Sequence, residues 1–221
     1  THTKSLKYDF AVKRGKPADV LPFWVADMDF EIPPELKQIL LDRVNHGVFG
    51  YTESDDEYFD VLKNWFATRF NWTPEQKWLV KTPGIVFALA MAVRAFTKEG
   101  EGVLINQPVY YPFSMVIDDN NRHLINVPLI KGEERYTIDF EGIERAIIEE
   151  NITLFLLCNP HNPVGRVWTE DELKRLGDIC IKHNVLIVSD EIHADFVWKG
   201  HTHKVFADLG ESYAEHCVVC T

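Results

Sequence analysis

The stretch from residue 153 to residue 189 constrains the fold more than any other part of the sequence. It contains an apolar run, TLFLLC, then a loop, a helical segment over residues 169–183 and a second apolar run, NVLIVS. The helical segment opens with Thr169 and Glu172, whose spacing is that of a capping box. Continuous apolar strands joined by a helix are typical of parallel strands that are buried on both faces. The sequence therefore predicts a βαβ unit within an α/β fold, with a mixed, mostly parallel sheet between helices.

The segments before this unit extend the same alternation. Residues 78–108 begin with WLVK and end with VLINQP, and they are predicted to form a strand, a helix that is apolar all round and therefore buried, and another strand. RHLINVPL is predicted as a short strand and DFEGIERAIIEEN as an amphipathic helix. Nearer the N-terminus, ELKQILLDRVNHG is predicted as a helix that ends at Gly47. DEYFDVLKNWFATRFN is predicted as a second helix, with an apolar face made of Phe59, Leu62, Phe66 and Phe70.

Composition excludes several classes of function. The chain has 221 residues, 46% of them hydrophobic, which supports a large core. The net charge of -11 and the lack of a basic run argue against a nucleic-acid partner. No apolar run approaches the roughly 20 residues that span a membrane, and the first residues contain no apolar stretch of a signal peptide. The sequence therefore predicts a cytoplasmic protein that contacts neither membrane nor nucleic acid.

The cysteines do not indicate a metal site. In a cytoplasmic protein thiols stay reduced, and the spacing CVVC lacks a second pair of zinc ligands nearby. The two valines favour a buried strand at this position. We therefore predict no metal, and we predict free or core thiols at Cys158, Cys180, Cys217 and Cys220.

Polar residues follow the predicted strands at one edge of the sheet. In a βαβ unit the carboxyl ends of both strands meet at the same edge, where open α/β sheets bind ligands. That edge receives polar side chains from CNPHNPVGR and from SDEIH, and the tyrosines of QPVYYP if the preceding strand lies in the same sheet. The segment TPG opens a helix, and free N–H groups at a helix start form a seat for a phosphate. The sequence thus places a phosphate seat, aromatic rings, an amide and a carboxylate together, which is the outline of a cofactor site.

Four motifs in order carry a resemblance to a known family. TPGIVFAL, QPVYYPF, NPHNPVG and SDEIHADFVW together resemble the fold-type I enzymes that use pyridoxal 5'-phosphate (PLP). Within these enzymes, FWVADMDF and SDEIHADF are most similar to the cystathionine β-lyase group of carbon–sulfur lyases, close to class I and II aminotransferases. The resemblance extends from about residue 8 to the end of the chain. It implies an aspartate aminotransferase-like large domain over residues 46–221, incomplete at its C-terminal side, and a segment of the small domain over residues 1–45.

The resemblance assigns the contacts to the PLP ring. Asp190 would hold the protonated ring nitrogen, which makes the ring a good electron sink. Asn162 would donate to the phenolic oxygen, and Tyr110 would stack on the ring, with Tyr111 as the other possibility. The alternatives without a cofactor are a helix cap for Asp190 and a turn residue for Asn162.

The resemblance also assigns the phosphate contacts and one histidine. The backbone N–H groups of Gly84, Ile85 and Val86 would bind the phosphate, although the two side chains also suit a core. His193 stands where many aminotransferases have a tyrosine, and the β-lyase group has histidine there, so this position favours a lyase. A histidine without a catalytic role is the alternative.

Two residues near the N-terminus are matched to family positions. Tyr51 resembles the tyrosine that crosses a dimer interface to the phosphate of the other subunit, which implies a homodimer. Packing of Tyr51 within its own subunit is the alternative. Ala26, in VADMDF, matches the backbone position that approaches the substrate carboxylate.

Two catalytic groups of the family are not matched within the chain. Enzymes of this type need a lysine that forms a Schiff base with PLP, and the resemblance places it beyond Thr221. Lys199 and Lys204 lack its sequence context. The arginine that binds the substrate carboxylate, expected in the small domain, is not matched either. The chain is therefore read as the N-terminal part of its protein.

The resemblance implies a PLP-dependent carbon–sulfur β-lyase. Its substrate would be a small sulfur-containing amino acid, cystathionine or a cysteine S-conjugate, cleaved by β-elimination to a thiol, pyruvate and ammonia. A class I or II aminotransferase is the first alternative, because the residues that hold the ring serve both reactions. A regulatory or binding protein on the same fold is a more distant alternative, and fold alone does not decide among these.

Overall fold

The computed structural model describes residues 3–221, which divide into two compact units between Glu53 and Ser54. The sequence placed a domain boundary after residue 45, and the assignment of the first segment to a small domain stays a prediction. Thr1 and His2, which that prediction includes, lie outside the described residues.

The first unit contains one α-helix. A short 3-10 turn, Val12–Arg14, precedes helix α1, Pro34–His46. Proline suits the first position of α1 because that N–H has no partner within the helix. Gly47 ends the helix at a φ of 73°, which glycine adopts without strain, and the predicted helix end is confirmed.

The second unit contains all the strands that the structure describes. They are β1 (Gly102–Ile105), β2 (His123–Asn126), β3 (Ile130–Lys131), β4 (Tyr136–Thr137), β5 (Ile152–Cys158), β6 (Leu186–Asp190) and β7 (Cys217–Cys220). Five of them form a parallel sheet in the order β2-β1-β5-β6-β7, and β3 pairs with β4 in a separate antiparallel hairpin. The predicted strand at CVVC is confirmed as β7.

Helices cover both faces of the sheet. They are α2 (Asp56–Phe70), α3 (Ile85–Phe96), α4 (Pro112–Asp118), α5 (Phe140–Glu149), α6 (Glu170–Lys182) and the short α7 (Glu211–Ala214), with 3-10 turns at Gln76–Trp78 and Phe206–Leu209. The capping box at the start of α6 is present as predicted, with Thr169 and Glu172 each accepting from the backbone N–H of the other. The reciprocal bonds fix where α6 begins.

Alternate strand residues pack into two core layers. On one face, Phe155 and Ile187 pack with residues of α5 and α6. On the other face, Leu156 and Val188 pack with residues of α3 and α4. A sheet with helices on both faces explains why the strands are apolar without interruption. The predicted α/β class is confirmed.

Two local predictions are wrong. Residues 79–81, expected as a strand, are not in one: Val80 is 80% exposed, and no other strand of the described chain pairs with this segment. Helix α3, expected to be buried all round, buries only the face that includes Leu89 and Val93, while Phe87 and Phe96 are exposed. Both errors have one cause: an apolar pattern shows a preference for burial, whereas the neighbour that supplies the burial is not local in sequence.

Residues 3–221 contain neither a helix suited to cross a membrane nor a cluster of metal ligands. None of the described helices has the length and hydropathy needed to cross a membrane. No cluster of three or more histidine, cysteine or acidic side chains in this range has the geometry of a metal site.

Candidate active site

The carboxyl end of the parallel sheet brings Asp190 to the centre of the candidate site. Asp190 is the last residue of β6 and lies in register with Cys158 on β5 and Cys220 on β7. The N–H of Asn159 donates to the carbonyl of Asp190 at 2.9 Å, which extends the pairing by one residue. Asp190 is therefore held from both sides at the edge where the sequence predicted the site.

The Asp190 carboxyl is buried and has no cationic partner. It is 4% exposed, Oδ1 accepts from the N–H of Ile192 at 3.2 Å, and no lysine or arginine of the described chain pairs with it. Burial is the main cause that raises the pKa of Asp190 to about 6; the hydrogen bond from Ile192 lowers this pKa, and the charge of Glu191 contributes to raising it. A buried carboxylate in this state is stabilised by any cation that reaches it. A protonated ring nitrogen is such a cation, so this residue fits the nitrogen of PLP.

Tyr110 interacts electrostatically with Asp190. Tyr110 immediately precedes the start of α4, and its pKa is raised by burial, by Tyr111 and by the charge of Asp190. Tyr110 is 38% exposed and Tyr111 69% exposed, with their ring centroids 5.2 Å apart. Tyr110 is therefore close enough to Asp190 to feel its charge and has the less exposed ring of the two, and its stacking on a cofactor stays a prediction.

The loop CNPHNPVGR is fixed at both of its ends. The N–H of His161 donates to the carbonyl of Arg166 at 2.7 Å, and the indole N–H of Trp168 donates to the carbonyl of Cys158 at 3.0 Å. The N–H of Asn162 donates to the Cys158 sulfur at 3.3 Å, which closes the turn beside Asp190. Asn162 itself is half-buried.

The start of α3 has the form of an anion site. Gly84 precedes the helix with a φ of 130°, a conformation that side chains other than glycine rarely adopt, and no side chain caps the helix. The N–H groups of Ile85 and Val86 therefore have no partner within the helix. Gly84 and Val86 are exposed and Ile85 is half-buried, so these N–H groups are open to a ligand.

Helix α3 points its N-terminus at the edge that holds Asp190. The short connection over residues 97–101 joins the end of α3 to the start of β1, so that end lies at the amino edge of the sheet. Phe96 there lines a cavity together with Leu186 and His216, which are close to the starts of β6 and β7. At the other end of α3, Ile85 lines a groove together with Cys220, at the end of β7.

His193 lies three residues beyond Asp190 and is half-buried. Burial lowers the pKa of His193, so its imidazole is neutral at neutral pH. The N–H of Phe196 donates to the backbone carbonyl of His193 at 2.9 Å, which keeps this segment in a turn. A catalytic role for His193 stays a prediction.

Two predicted site residues belong to the first unit. Tyr51 and Ala26 are both exposed. The segment around Ala26 is anchored by the buried Lys7, whose ammonium donates to the carbonyl of Asp27 at 3.1 Å and to the carboxylate of Asp29 at 2.8 Å. The roles of Tyr51 at a dimer interface and of Ala26 near a substrate stay predictions.

The lysines near the site are not arranged as reactive amines. Lys204 forms an ion pair with Asp208, and Lys199 is exposed. This agrees with their lack of the family's sequence context. The predicted Schiff-base lysine and the carboxylate-binding arginine stay predictions.

The sequence did not reveal a buried acid–histidine pair behind the site. His203 Nε2 lies 2.8 Å from Glu191 Oε2, and both side chains are almost fully buried. The sequence placed Glu191 at this edge without a role, and nothing marked His203 as its partner. Their contact joins the end of β6 to a loop, a kind of contact without periodicity in the sequence.

The fold and this edge together define an aminotransferase-like α/β unit with a candidate PLP site. The chain belongs to the family aminotransferase class I and II, whose model matches residues 18–221.

Several relatives of the chain are named as carbon–sulfur lyases. The chain is 42% identical over 218 residues to a cystathionine beta-lyase, PatB, of Bacillus subtilis, covering 99% of this chain and 56% of that protein. It is similar to cystalysin from Treponema denticola, a structure with a PLP cofactor, with a TM-score of 0.93 and 40% identity over 99% of this chain and 56% of the other. It is also similar to the PLP-bound C–S lyase from Staphylococcus hominis, with a TM-score of 0.87 and 35% identity over 94% of this chain and 53% of the other. The chain spans about half the length of these relatives.

Proposed function

We propose that the protein containing this chain is a PLP-dependent carbon–sulfur β-lyase. The observation that carries the proposal is Asp190, a buried carboxylate without a cationic partner at the carboxyl edge of the sheet, beside an aromatic ring and opposite an uncapped helix start. PLP presents a cation, a flat ring and a phosphate, which match these three features. The named relatives, two of them structures with PLP, support the same cofactor.

Each residue of the site has a physical task in this proposal. Asp190 holds a positive charge at the ring nitrogen, and Tyr110 covers one face of the ring and excludes water from it. The amide of Asn162 donates to the phenolic oxygen. The N–H groups of Gly84, Ile85 and Val86 hold the phosphate through hydrogen bonds and the helix dipole. When bound, PLP supplies the electron sink that accepts the electrons of the broken Cα–H bond.

The proposed substrate is a small sulfur-containing amino acid such as cystathionine. β-Elimination with uptake of one water yields a thiol, pyruvate and ammonia. The relatives named for carbon–sulfur cleavage support this choice, and His193 at the position where the β-lyase group has histidine agrees with it. We further propose a homodimer, with Tyr51 reaching the phosphate of the partner subunit and Ala26 lying near the substrate carboxylate.

An aminotransferase is the second candidate. Aspartate aminotransferases of Sulfolobus acidocaldarius and Bacillus subtilis are also relatives, at 24% and 27% identity. The groups that hold the ring do the same work in both reactions. The choice therefore depends on the reaction and not on cofactor binding.

Incubation of the protein, expressed from its complete coding sequence, with cystathionine separates the two candidates. The lyase releases pyruvate without a keto-acid acceptor, and the activity disappears after PLP is removed and returns when PLP is added. Amino transfer that requires an acceptor, with no pyruvate released in its absence, would contradict the lyase proposal and support the second candidate.

A further inference from the structure

A second buried carboxylate lies directly behind the cofactor site. Glu191 is 2% exposed and follows Asp190 at the end of β6. Because successive side chains of an extended segment point to opposite faces, Glu191 shares the face of Ser189. Ser189 Oγ donates to Glu191 Oε1 at 2.8 Å. Val188, two residues before Asp190, packs in the layer of α3 and α4, so the two carboxylates lie on opposite faces of the sheet edge.

The Glu191 carboxylate is surrounded by hydrogen-bond donors from separate segments. Besides Ser189, the N–H of Phe206 donates to Oε1 at 2.9 Å, and the amide of Asn159 donates to Oε1 at 3.4 Å. His203 Nε2 lies 2.8 Å from Oε2. A buried carboxylate is unstable without such donors, because it has lost its hydration. Glu191 therefore ties the end of β5 and the loop before Phe206 to the end of β6.

The surroundings of His203 indicate which of its two ring nitrogens carries the proton. Its Nδ1 is buried and has no hydrogen-bond partner in the described part of the chain, and the ring of Phe70 packs against the imidazole at a centroid distance of 5.4 Å. An unprotonated Nδ1 and a proton on Nε2 suit this environment, because a buried N–H without an acceptor is the more costly arrangement. The Nε2–H group of His203 then donates to Glu191 Oε2 at 2.8 Å.

Asn159 connects the hydrogen bonds of Glu191 to the candidate PLP site. Its amide donates to Glu191 Oε1 and, at 3.1 Å, to the carbonyl of Lys204, so two acceptors fix its orientation. Its backbone N–H donates to the carbonyl of Asp190. Asn159 also lies in the turn that the contact between Asn162 and the Cys158 sulfur closes. The position of Asn162 relative to Asp190 thus depends on where Asn159 is held.

We infer that Glu191 is a positioning residue, which acts through Asn159 and with His203 to set the distance between the Asn162 amide and the Asp190 carboxylate. The inference rests on the proposed function, since these two groups are the proposed contacts to the ring of PLP. Well-packed apolar side chains often stabilise a fold as much as a buried pair of ionisable groups does. A geometric task for Glu191 accounts for a buried charge that stability alone does not require.

The test compares Glu191→Gln with Glu144→Gln in the protein expressed from its complete coding sequence. Glu144 also pairs with a histidine, His183 Nε2 at 3.0 Å, and with Lys182 at 2.7 Å. These partners lie at the end of α6, away from the carboxyl edge, so Glu144→Gln is a control for the loss of an acid–histidine contact at a more exposed position. The readouts are the Kd of PLP for the PLP-free protein and the visible circular dichroism per bound PLP. The second readout reports how the site orients an achiral ring, independently of activity and of global stability.

We expect Glu191→Gln to raise the Kd of PLP about tenfold, as loss of one well-placed charged contact does, and to change the circular dichroism per bound PLP. Glu144→Gln should change neither. A Glu191→Gln protein with a lowered Tm but an unaltered Kd and an unaltered circular dichroism would overturn the inference, because that result describes a residue needed only for folding.

A second pair of variants decides the case if Glu191→Gln does not fold. His203→Gln keeps an N–H that can donate to Glu191, whereas His203→Leu removes it. The inference expects His203→Gln to bind PLP with the wild-type circular dichroism and His203→Leu to shift it. Identical circular dichroism in both variants would overturn the inference. Wild-type protein that binds no PLP would instead remove the proposed function and the inference with it, so the two failures are distinguishable.

Discussion

The two edges of the parallel sheet differ in one buried charged group, Asp190. At the amino edge, Arg122 donates to the hydroxyl and carbonyl of Thr97, at 2.8 and 2.6 Å, and to the carbonyl of Asn120 at 2.6 Å. Glu101 there accepts from the N–H of Lys98 at 2.8 Å. At the carboxyl edge, Asp190 is buried without a cationic partner among the described residues. The guanidinium of Arg122 is fully paired within the fold, whereas the Asp190 carboxylate, which lacks a cationic partner, is available to a cationic ligand.

The largest effect is expected from Asp190→Asn, which removes the carboxylate proposed to hold the ring nitrogen of PLP. Asp190→Asn keeps the size of the side chain but cannot hold a protonated ring nitrogen. We expect the lyase activity to fall roughly hundredfold or more, as when one group that stabilises transition-state charge is lost. Steady-state pyruvate release at saturating PLP measures the effect. Wild-type activity in Asp190→Asn would mean that the carboxyl edge is not where the reaction is supported.

The same residue should give the PLP-free protein an unusual dependence of stability on pH. Burial raises the pKa of Asp190 from 3.8 to about 6 in the folded state, so between these values the folded chain holds a proton that the unfolded chain has released. The stability that this proton provides is present in full below pH 3.8 and is lost as the pH rises through about 6. At neutral pH we expect Asp190→Asn to be more stable than wild type by about 3 kcal/mol.

Urea unfolding of the two PLP-free proteins across this pH range measures the difference. The difference in the free energy of unfolding between Asp190→Asn and wild type should shrink as the pH falls from about 6 to 3.8. A difference that does not vary with pH would contradict the raised pKa of Asp190.

At the amino edge, loss of a polar side chain is expected to lower stability and to leave PLP binding unchanged. Arg122→Ala removes a guanidinium that donates to three acceptors, so the free energy of unfolding should fall by about 2 kcal/mol. The Kd of PLP should stay at the wild-type value. Denaturant unfolding and PLP titration give the two numbers, and a weakened affinity for PLP in a folded Arg122→Ala protein would contradict the division between the edges.

A smaller difference is expected between alanine substitutions of two glycines, Gly84 at the carboxyl edge and Gly100 at the amino edge. Gly84 has a φ of 130° and Gly100 a φ of 80°, and an added Cβ would meet nothing within 4 Å at either position. Alanine therefore acts through backbone strain alone, of about 1–3 kcal/mol. At Gly84 we expect the strain to disturb the phosphate seat and to raise the Kd of PLP about tenfold. Gly100→Ala should lower the Tm and leave the Kd unchanged, and equal Kd values in the two variants would argue against a phosphate at the start of α3.

The carboxyl edge was largely predictable because its signals are local. The apolar run before Asp190, the apolar run before Cys158 and the capping box at Thr169 each lie within a few residues, and together they fix which loops meet. Asp190 and Tyr110 lie together as predicted because parallel strands end at one edge. The spacing from Pro108 favours Tyr110 over Tyr111, and the stacking role of either ring stays a prediction.

The parts that could not be predicted depend on distant neighbours. Residues 79–81 have the composition of a strand, but a strand also needs a partner, and composition does not specify one. The contact between Glu191 and His203 joins two loops whose spacing follows no helical or strand period. Sequence patterns therefore locate the site, and non-local packing sets how firmly its residues are held.

The protonation state of the ring nitrogen of bound PLP tests the central claim most directly. The measurement is the ¹⁵N chemical shift of ring-labelled PLP bound to the protein expressed from its complete coding sequence, in wild type and in Asp190→Asn, at neutral pH. We predict a protonated ring nitrogen in the wild type and an unprotonated one in the variant. An unprotonated nitrogen in the wild type, or the same shift in both proteins, would contradict the assignment of Asp190 as the group that holds the charge of the ring.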